Sequence, residues 1–368
     1  MDFMTADRTF STSITRWASV GPYYAMFPIK FAFDVVRTHS RPGEAVLDPF
    51  AGRGSSLYAA AATGRRALGI EINPVGWLYS SVKLAPSAMD RVLLRLKECS
   101  MLSSHMNLSP SNLPIFYYKA YSPKVLKFLL ACQGLLKWRT SRIDATLMAF
   151  ILVYLHGKRE ASLSNQMRDG KAMSPEYSIK WWRTRRMLPP DVDPLTFLSK
   201  RIKWRYRHGL PNLSAANVIL GDSTSVLHGM KAENKYSDNY TLLFTSPPYC
   251  GVTNYHYDQW LRLWMLGQSD HPKSPGGLWQ GKFRSEKNYK DLLLRTFSDS
   301  AKLMKKSAVI YVRTDARKFT FDTTIDVLSE VFNKKKMKII HRPINKKSQT
   351  ALFGDNSQKP GEIDVVMT

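Results

Sequence analysis

Glu44-Ala45-Val46-Leu47-Asp48-Pro49-Phe50-Ala51-Gly52-Arg53-Gly54-Ser55-Ser56 begins as a short apolar run and ends as a turn carrying two glycines. The run reads as a buried strand over 44–48. Beyond the turn, the Ala-rich segment 56–62 reads as a helix that stops at Gly64, with Ser55 placed to cap it. A second strand follows over 67–72, and Pro74 suits the first turn of another helix. A strand–helix–strand–helix order needs crossover connections, so the fold class is α/β: a parallel, Rossmann-like sheet with helices on both faces. Glycines between a strand and a helix let a ligand approach the backbone closely. A dinucleotide site would carry a third glycine near Leu57, and none is there. Glu71 closes the second strand, about 20 residues beyond the turn, where folds of this kind bind a ribose diol.

Outward from this unit, the aromatic stretch Tyr23-Tyr24-Ala25-Met26-Phe27-Pro28 leads into a helix expected over 29–38. Strand-like runs return at 217–221, 240–245 and 308–313, and helices are expected at 257–266, 289–305 and 322–333. Two last runs, 338–344 and 362–367, suit a closing hairpin. Between them and the first unit, residues 85–214 read differently. Apolar periodicity predicts helices at 91–102, 123–136 and 143–155, followed by a basic, polar stretch over 158–207. The chain therefore divides into an α/β domain made of 1–84 and 215–368 and a large, mainly helical insertion, 85–214.

The net charge is +25 over 368 residues, which points to a polyanionic partner, most simply DNA or RNA. Residues 80–214 carry 23 Lys/Arg against 8 Asp/Glu, so just over a third of the chain holds +15 of that charge. The insertion is the better candidate for phosphate contacts. Within it, Gln166 and Arg168 are side chains of the type that read base edges, and Lys180, Arg183, Arg185 and Arg186 form a basic run around Trp181 and Trp182. The bland alternative is a solvated basic face with the tryptophans in the core. Three cysteines, Cys99, Cys132 and Cys250, form no metal or disulfide framework, so no metal site is expected. No apolar signal core or spanning run is seen, and the reading is a cytoplasmic, DNA-associated protein with no membrane contact.

The most specific signal is Thr245-Ser246-Pro247-Pro248-Tyr249, directly after the apolar run Tyr240-Thr241-Leu242-Leu243-Phe244. With it the sequence resembles the amino-group DNA methyltransferases, which act on cytosine N4 or adenine N6 and carry an Asp/Asn/Ser-Pro-Pro-aromatic motif at a strand end. The resemblance covers roughly 20–84 and 215–368. It implies S-adenosylmethionine as cofactor and double-stranded DNA as partner. It assigns the cofactor loop to Asp48, Phe50, Gly52 and Gly54, the ribose acid to Glu71, the acid near the adenine edge to Asp222, and an N-terminal cofactor segment to Phe27 and Pro28. The catalytic turn is then Ser246, Pro247, Pro248 and Tyr249, and the insertion becomes the DNA-recognition region.

The chemistry suits those residue types. An exocyclic amine is a poor nucleophile because its lone pair is delocalised into the ring. Two acceptors that take its N–H bonds draw the nitrogen toward sp³ geometry and expose the lone pair. Ser246 Oγ and the Pro247 carbonyl are the candidate acceptors, proline adds no competing N–H, and Tyr249 offers a face for an extruded base. Cytosine C5 methylation would need a cysteine nucleophile; Cys250 follows Tyr249 without a Pro-Cys pair and reads as pocket wall. Ser rather than Asp at 246 tilts the reading toward cytosine N4. Adenine N6, an RNA amino group, and a catalytically silent nucleic-acid-binding protein are the alternatives. Trp260 and Trp264, four apart, read as core, and Asn254 and Tyr255 as further candidates to line the base pocket.

Overall fold

The computed structural model describes residues 11–22, 27–105, 113–232, 239–251, 255–273, 285–342 and 361–368. Tyr23 to Met26 and Asn254 lie outside them, as does the side chain of Tyr255. Strands β1 (Ala45–Asp48), β2 (Arg66–Glu71), β3 (Ala216–Leu220), β4 (Tyr240–Thr245), β5 (Met304–Asp315), β6 (Met337–Arg342) and β7 (Glu362–Met367) form one sheet in the order β3-β2-β1-β4-β5-β7-β6. β1 to β5 pair in parallel, and β7 runs antiparallel to both β5 and β6. This is the α/β, Rossmann-like architecture expected. The strand order runs outward from β1 through β2 to β3 on one side and from β4 to β5 on the other. Val46 pairs with Leu242 and Leu47 with Leu243 across that reversal. A crevice opens outside the carboxyl ends of the strands at such a point, and ligands bind there.

Side chains alternate across the sheet and divide the core in two. Val46, Leu242 and Phe244 face α2 (Ile29–His39), α3 (Ser55–Ala62) and α4 (Pro74–Leu84), contributing to a cluster with Val36, Leu57 and Leu78. Leu47, Leu243 and Ile310 face the other way, toward Leu227, Phe297 and Leu328. These last come from α11 (Ser223–Ala232), α14 (Glu286–Ala301) and α15 (Lys318–Val331).

The segment between α4 and β3 is helical: α5 (Met89–His105), α6 (Ile115–Ala120), α7 (Pro123–Leu135), α8 (Arg142–Tyr154), α9 (Pro175–Thr184) and α10 (Pro194–Tyr206). The last two fall inside the stretch read as merely basic and polar. Each starts at a capping residue followed by proline, Ser174-Pro175 and Asp193-Pro194, with the cap side chain accepting a backbone N–H. These helices share the first core cluster, through Leu96, Leu126, Ile151, Trp182 and Ile202. Tyr206 donates to the Ser87 carbonyl at 2.5 Å, and Arg205 to Ser19 Oγ, just past α1 (Ser13–Ala18), at 2.7 Å.

Two local expectations need correction. Ser55 does not cap α3: Gly54 holds the N-cap position in the left-handed region, φ 71° and ψ 38°, and no side chain caps the helix. The helix expected over 257–266 is two, α12 (Tyr255–Asp258) and α13 (Trp260–Met265), divided at Gln259. The closing strands pair as an antiparallel couple, as expected, with β7 between β5 and β6. Burial explains the choice. Glu362-Ile363-Asp364-Val365-Val366-Met367 is buried from Ile363 onward and takes the inner place, while β6, with Lys338 and Arg342 exposed, takes the edge.

Candidate active site

The loops after β1, β2, β3 and β4 meet at the strand reversal. Asp48, at the end of β1, is 1% exposed. One carboxylate oxygen accepts from Thr245 Oγ1 of β4 at 2.6 Å and from Phe50 N at 3.0 Å, and the other accepts from the Ser56 hydroxyl on α3. Burial pushes the carboxyl up to about 6, against the pull of those hydrogen bonds. Asp48 therefore turns its oxygens inward, as a brace that joins β1, α3 and β4 beneath the turn. Phe50 is half-buried above it, packed against the α11 side of the core.

The turn itself needs glycine. Gly52 and Gly54 have φ of 54° and 71°, and a Cβ on Gly54 would lie 2.6 Å from Ser80 Oγ. Glu71 closes the turn from β2: Oε2 accepts from Gly52 N at 2.7 Å and Oε1 from Asn73 N at 2.8 Å. Gly76, on α4, leaves space for that carboxylate, since a Cβ there would meet Glu71 Cδ at 3.1 Å. A carboxylate offers about four acceptor positions, and the Ile72 N–H also bears on this one, so about one remains for a ligand's hydroxyl. Burial pushes Glu71 up to about 7; the hydrogen bonds from Asn73 and Gly52 pull it down and the Asp48 charge pushes it further up. Three buried polar atoms here, Arg53 Nε, Ser55 Oγ and Asn73 Nδ2, have no hydrogen-bond partner among the described residues. A polar ligand that brings hydroxyl and acceptor groups of its own fits this donor and acceptor set.

The loop after β3 is tied to the same place. Gly221 N donates to the Glu71 carbonyl at 3.0 Å, and the Ser223 hydroxyl donates to the Pro49 carbonyl. Asp222 between them is half-buried, and Oδ1 accepts from the Thr224 N–H at 2.9 Å and hydroxyl at 2.7 Å. At the end of β4, Pro247 and Pro248 are buried, while Ser246, Tyr249 and Cys250 are half-buried. Phe27 stacks on Phe244, two residues before Ser246, at 4.7 Å and 9° between planes. Pro28, exposed, opens α2 from its N-cap position. Burial, and secondarily the charge of Glu286, push the Cys250 thiol up, the reverse of an activated nucleophile.

Asp48, Phe50, Gly52, Gly54, Glu71 and Asp222 are thus brought together around one end of the sheet, with the 246–249 turn leaving β4 beside them. Gln166 and Arg168 lie on the loop between α8 and α9, which abuts the helices following that turn. Gln259 Nε2 donates to the Gly170 carbonyl at 3.2 Å, Trp260 Nε1 to the Met173 carbonyl at 3.2 Å, and Arg262 to the Asp169 carbonyl at 2.7 Å. Gln166 Oε1 accepts from Arg159 N at 3.0 Å. Lys180, Arg183, Arg185 and Arg186 are exposed on and just after α9, with the Arg185 guanidinium 3.2 Å from the Trp181 ring centroid. Trp260 and Trp264 are core, as expected, at 2% and 3% exposure. Thr245, Ser56 and Ser223 were not singled out in the sequence, although each is the hydroxyl residue next to a motif.

A family model described as DNA methylase, of the N6- and N4-methylating class, matches residues 7–75 and supports the amino-group DNA methyltransferase family. That match holds β1, the glycine turn and Glu71. The family implies S-adenosylmethionine as the methyl donor. Among solved structures, the chain is similar to the rRNA methyltransferase aviRa from Streptomyces viridochromogenes, at 12% identity and a TM-score of 0.36, covering 98% of this chain and 93% of that one. It is also similar to a TehB-like SAM-dependent methyltransferase from Corynebacterium glutamicum, at 7% identity and a TM-score of 0.32, covering 92% and 86%. Likenesses this distant say nothing about substrate. No curated protein matches the sequence. Among the described residues, no helix is long and apolar enough to cross a membrane.

Proposed function

We propose that this chain methylates the exocyclic N4 amino group of cytosine in double-stranded DNA, by direct transfer to a base turned out of the helix. The observation that carries the reading is the position of the 246–249 turn. It leaves β4 at the strand reversal, next to the glycine turn, and the bond of 2.6 Å from Thr245 to Asp48 fixes the two loops against each other. In this reading Gly52, Gly54, Glu71 and Asp222 hold S-adenosylmethionine, with Phe27, Pro28 and Phe50 bordering it and Asp48 bracing the loop. The donor supplies an electrophilic methyl group. Ser246 Oγ and the Pro247 carbonyl accept the two amine N–H bonds and free the nitrogen lone pair. Pro248 brings no N–H to compete, and Tyr249 stacks on the base. Serine at 246 favours cytosine over adenine. Labelled methyl transfer to duplex DNA, single-stranded DNA and RNA, with nucleoside analysis of the product, tests all of this. N4-methylcytosine from the duplex is the expected product. N6-methyladenine would keep the mechanism and change the base, and no transfer to any of the three would leave a nucleic-acid-binding protein.

The raised Glu71 carboxyl gives the cofactor assignment a pH signature. A hydroxyl that donates to it favours its charged form, so binding takes up the deprotonated enzyme and releases a proton. From pH 6 to pH 8, across the value of about 7, S-adenosylmethionine affinity should rise roughly tenfold. Glu71→Ala should abolish the dependence and cost about 2–4 kcal/mol of binding. Calorimetry in two buffers of different ionisation enthalpy reads both; a flat pH profile in the parent with unchanged affinity in the variant removes Glu71 from the site.

Residues 85–214 serve as the DNA-recognition region in this proposal, within a cytoplasmic, DNA-associated enzyme. If about six phosphates are neutralised, log affinity for duplex DNA should fall with log salt at a slope near −5. Replacing Arg183, Arg185 and Arg186 together by Ala should make the slope shallower by about 2–3. A slope equal to the parent's in a fluorescence-anisotropy titration would put the phosphate track elsewhere.

A further inference from the structure

We infer that the chain carries a second nucleotide-binding pocket, apart from the glycine turn, which takes one base against Trp77 and Trp138 and its phosphate on Arg139 and Arg142. A cavity of about 230 Å³ opens between the outer face of α4, the turn from α7 into α8, and the first half of β3. None of the residues gathered around the strand reversal lines it. Its aromatic walls are two indoles in mutual contact, 6.0 Å apart with planes at 59°; a ring docked at their junction would stack on one and meet the edge of the other. The junction is built and held. Trp138 is 8% exposed, and Trp77 Nε1 donates to the Val218 carbonyl at 3.0 Å.

The rest of the lining says what kind of ring belongs there. Arg139 and Arg142 are exposed at the mouth, with the Arg139 guanidinium 4.7 Å from the Trp138 centroid. Among the described residues, no acid lines the cavity. The nearest in sequence, Asp144, is taken by Arg95 at 2.9 Å and by the Lys137 N–H at 2.9 Å. The mouth therefore selects an anion. Among the described residues β3 is the outermost strand and pairs with β2 alone, which leaves one of its edges without a partner strand. The alternation of a parallel strand puts the Ala216 amide and carbonyl on the same outer edge as those of Val218; the Val218 pair is taken by Asn217 Oδ1 and Trp77 Nε1, so the Ala216 pair is the one that a ligand's own hydrogen-bonding groups would meet. The cavity is smaller than the roughly 300–1,000 Å³ that drug-sized ligands fill, so it encloses one ring system and leaves sugar and phosphate at the mouth. A planar ring with polar edges, joined to an anion, is a nucleotide, either free or within a strand.

The test needs no methyl transfer, so its failure and that of the proposed reaction are separable. 2-Aminopurine riboside 5′-monophosphate and a single-stranded oligonucleotide with one 2-aminopurine are titrated, without S-adenosylmethionine, into Tyr249→Ala protein, in which a base has no face to stack on at the 246–249 turn. Stacking on indole should quench the probe. Arg139→Glu with Arg142→Glu should weaken the response at least tenfold. Ser81→Phe, which fills the cavity, should abolish it, with S-adenosylmethionine affinity as in the parent in each case. Quenching by both probes alike makes this a free-nucleotide site, and quenching by the oligonucleotide alone makes it a strand contact. Absence of quenching with either probe, or a response that the arginine pair does not change, overturns the pocket.

Discussion

Ser246→Ala should slow single-turnover methyl transfer by about 10²–10³-fold while S-adenosylmethionine and DNA affinities stay within a few-fold of the parent. The hydroxyl is proposed to accept an amine N–H, and its contribution grows as the nitrogen becomes tetrahedral. An interaction made mainly in the transition state lowers the rate and leaves ground-state binding alone. Tyr249→Ala is expected to act differently, losing a stacking face worth about 1–3 kcal/mol and so weakening the productive base complex more than cofactor binding. Rapid-quench kinetics with mass spectrometry of digested DNA separates the two. A fully active Ser246→Ala enzyme beside a dead Cys250→Ser enzyme, or a covalent enzyme–DNA species, would sink direct transfer.

The second large effect is on stability. Asp364 on β7 is fully buried and accepts from Arg313 Nε at 2.6 Å and Nη2 at 3.0 Å, from Tyr311 Oη at 2.8 Å, and from Arg342 Nε at 3.0 Å. One carboxylate thus joins β5, β7 and β6. Burial alone would raise its pKa, but the hydrogen bonds and charge of Arg313 win and hold it below the usual carboxylate range. A carboxyl held low contributes stability above about pH 4 and loses it as the pH falls through its folded value. Asp364→Ala leaves the Arg313 guanidinium buried without that counter-charge and should destabilise the protein by about 3–5 kcal/mol at pH 7. The cost should shrink below pH 4. Urea unfolding at both pH values checks it; a loss under about 1 kcal/mol at pH 7 would show that Glu362, 3.0 Å from Arg313 Nη1, suffices. Arg313 also lies 3.5 Å from the Phe31 ring centroid, and Phe31 and Phe27 pack on Phe244, so the loss should reach the strand that bears the 246–249 turn.

Much of this fold could be read from the sequence because its signals are local. The strand 44–48, the turn, the helix and Glu71 stand within thirty residues, and each element has its own apolar pattern, glycine or cap. The bounds of β4 were read to the residue, since an apolar run stops at a Pro-Pro pair. What stayed hidden depends on partners far along the chain. Asp48 looks like a ligand contact until Thr245, 197 positions away, takes its oxygen. The break at Gln259 follows from long-range bonds of its own side chain to Gly170 and of Arg262 to Leu152. The caps of α9 and α10 were legible, but the density of charge around them masked two helix starts. Ser55 was misread because its neighbour Gly54 adopts a left-handed conformation, which a residue list does not display.

The place of β7 bears on how the protein is made. β5 emerges from the ribosome well before β7, and its outer edge over 310–315 waits for 362–367. At ~5–20 residues per second the delay is on the order of a few seconds. Throughout it the nascent chain presents Ile310-Tyr311-Val312 as an unpaired apolar margin, the kind that recruits foreign strands. β6 arrives first and is the wrong neighbour, so the order of translation runs against the order of the sheet. Shielding of that margin during synthesis therefore bears on yield in the cell, beside the stability of the finished molecule.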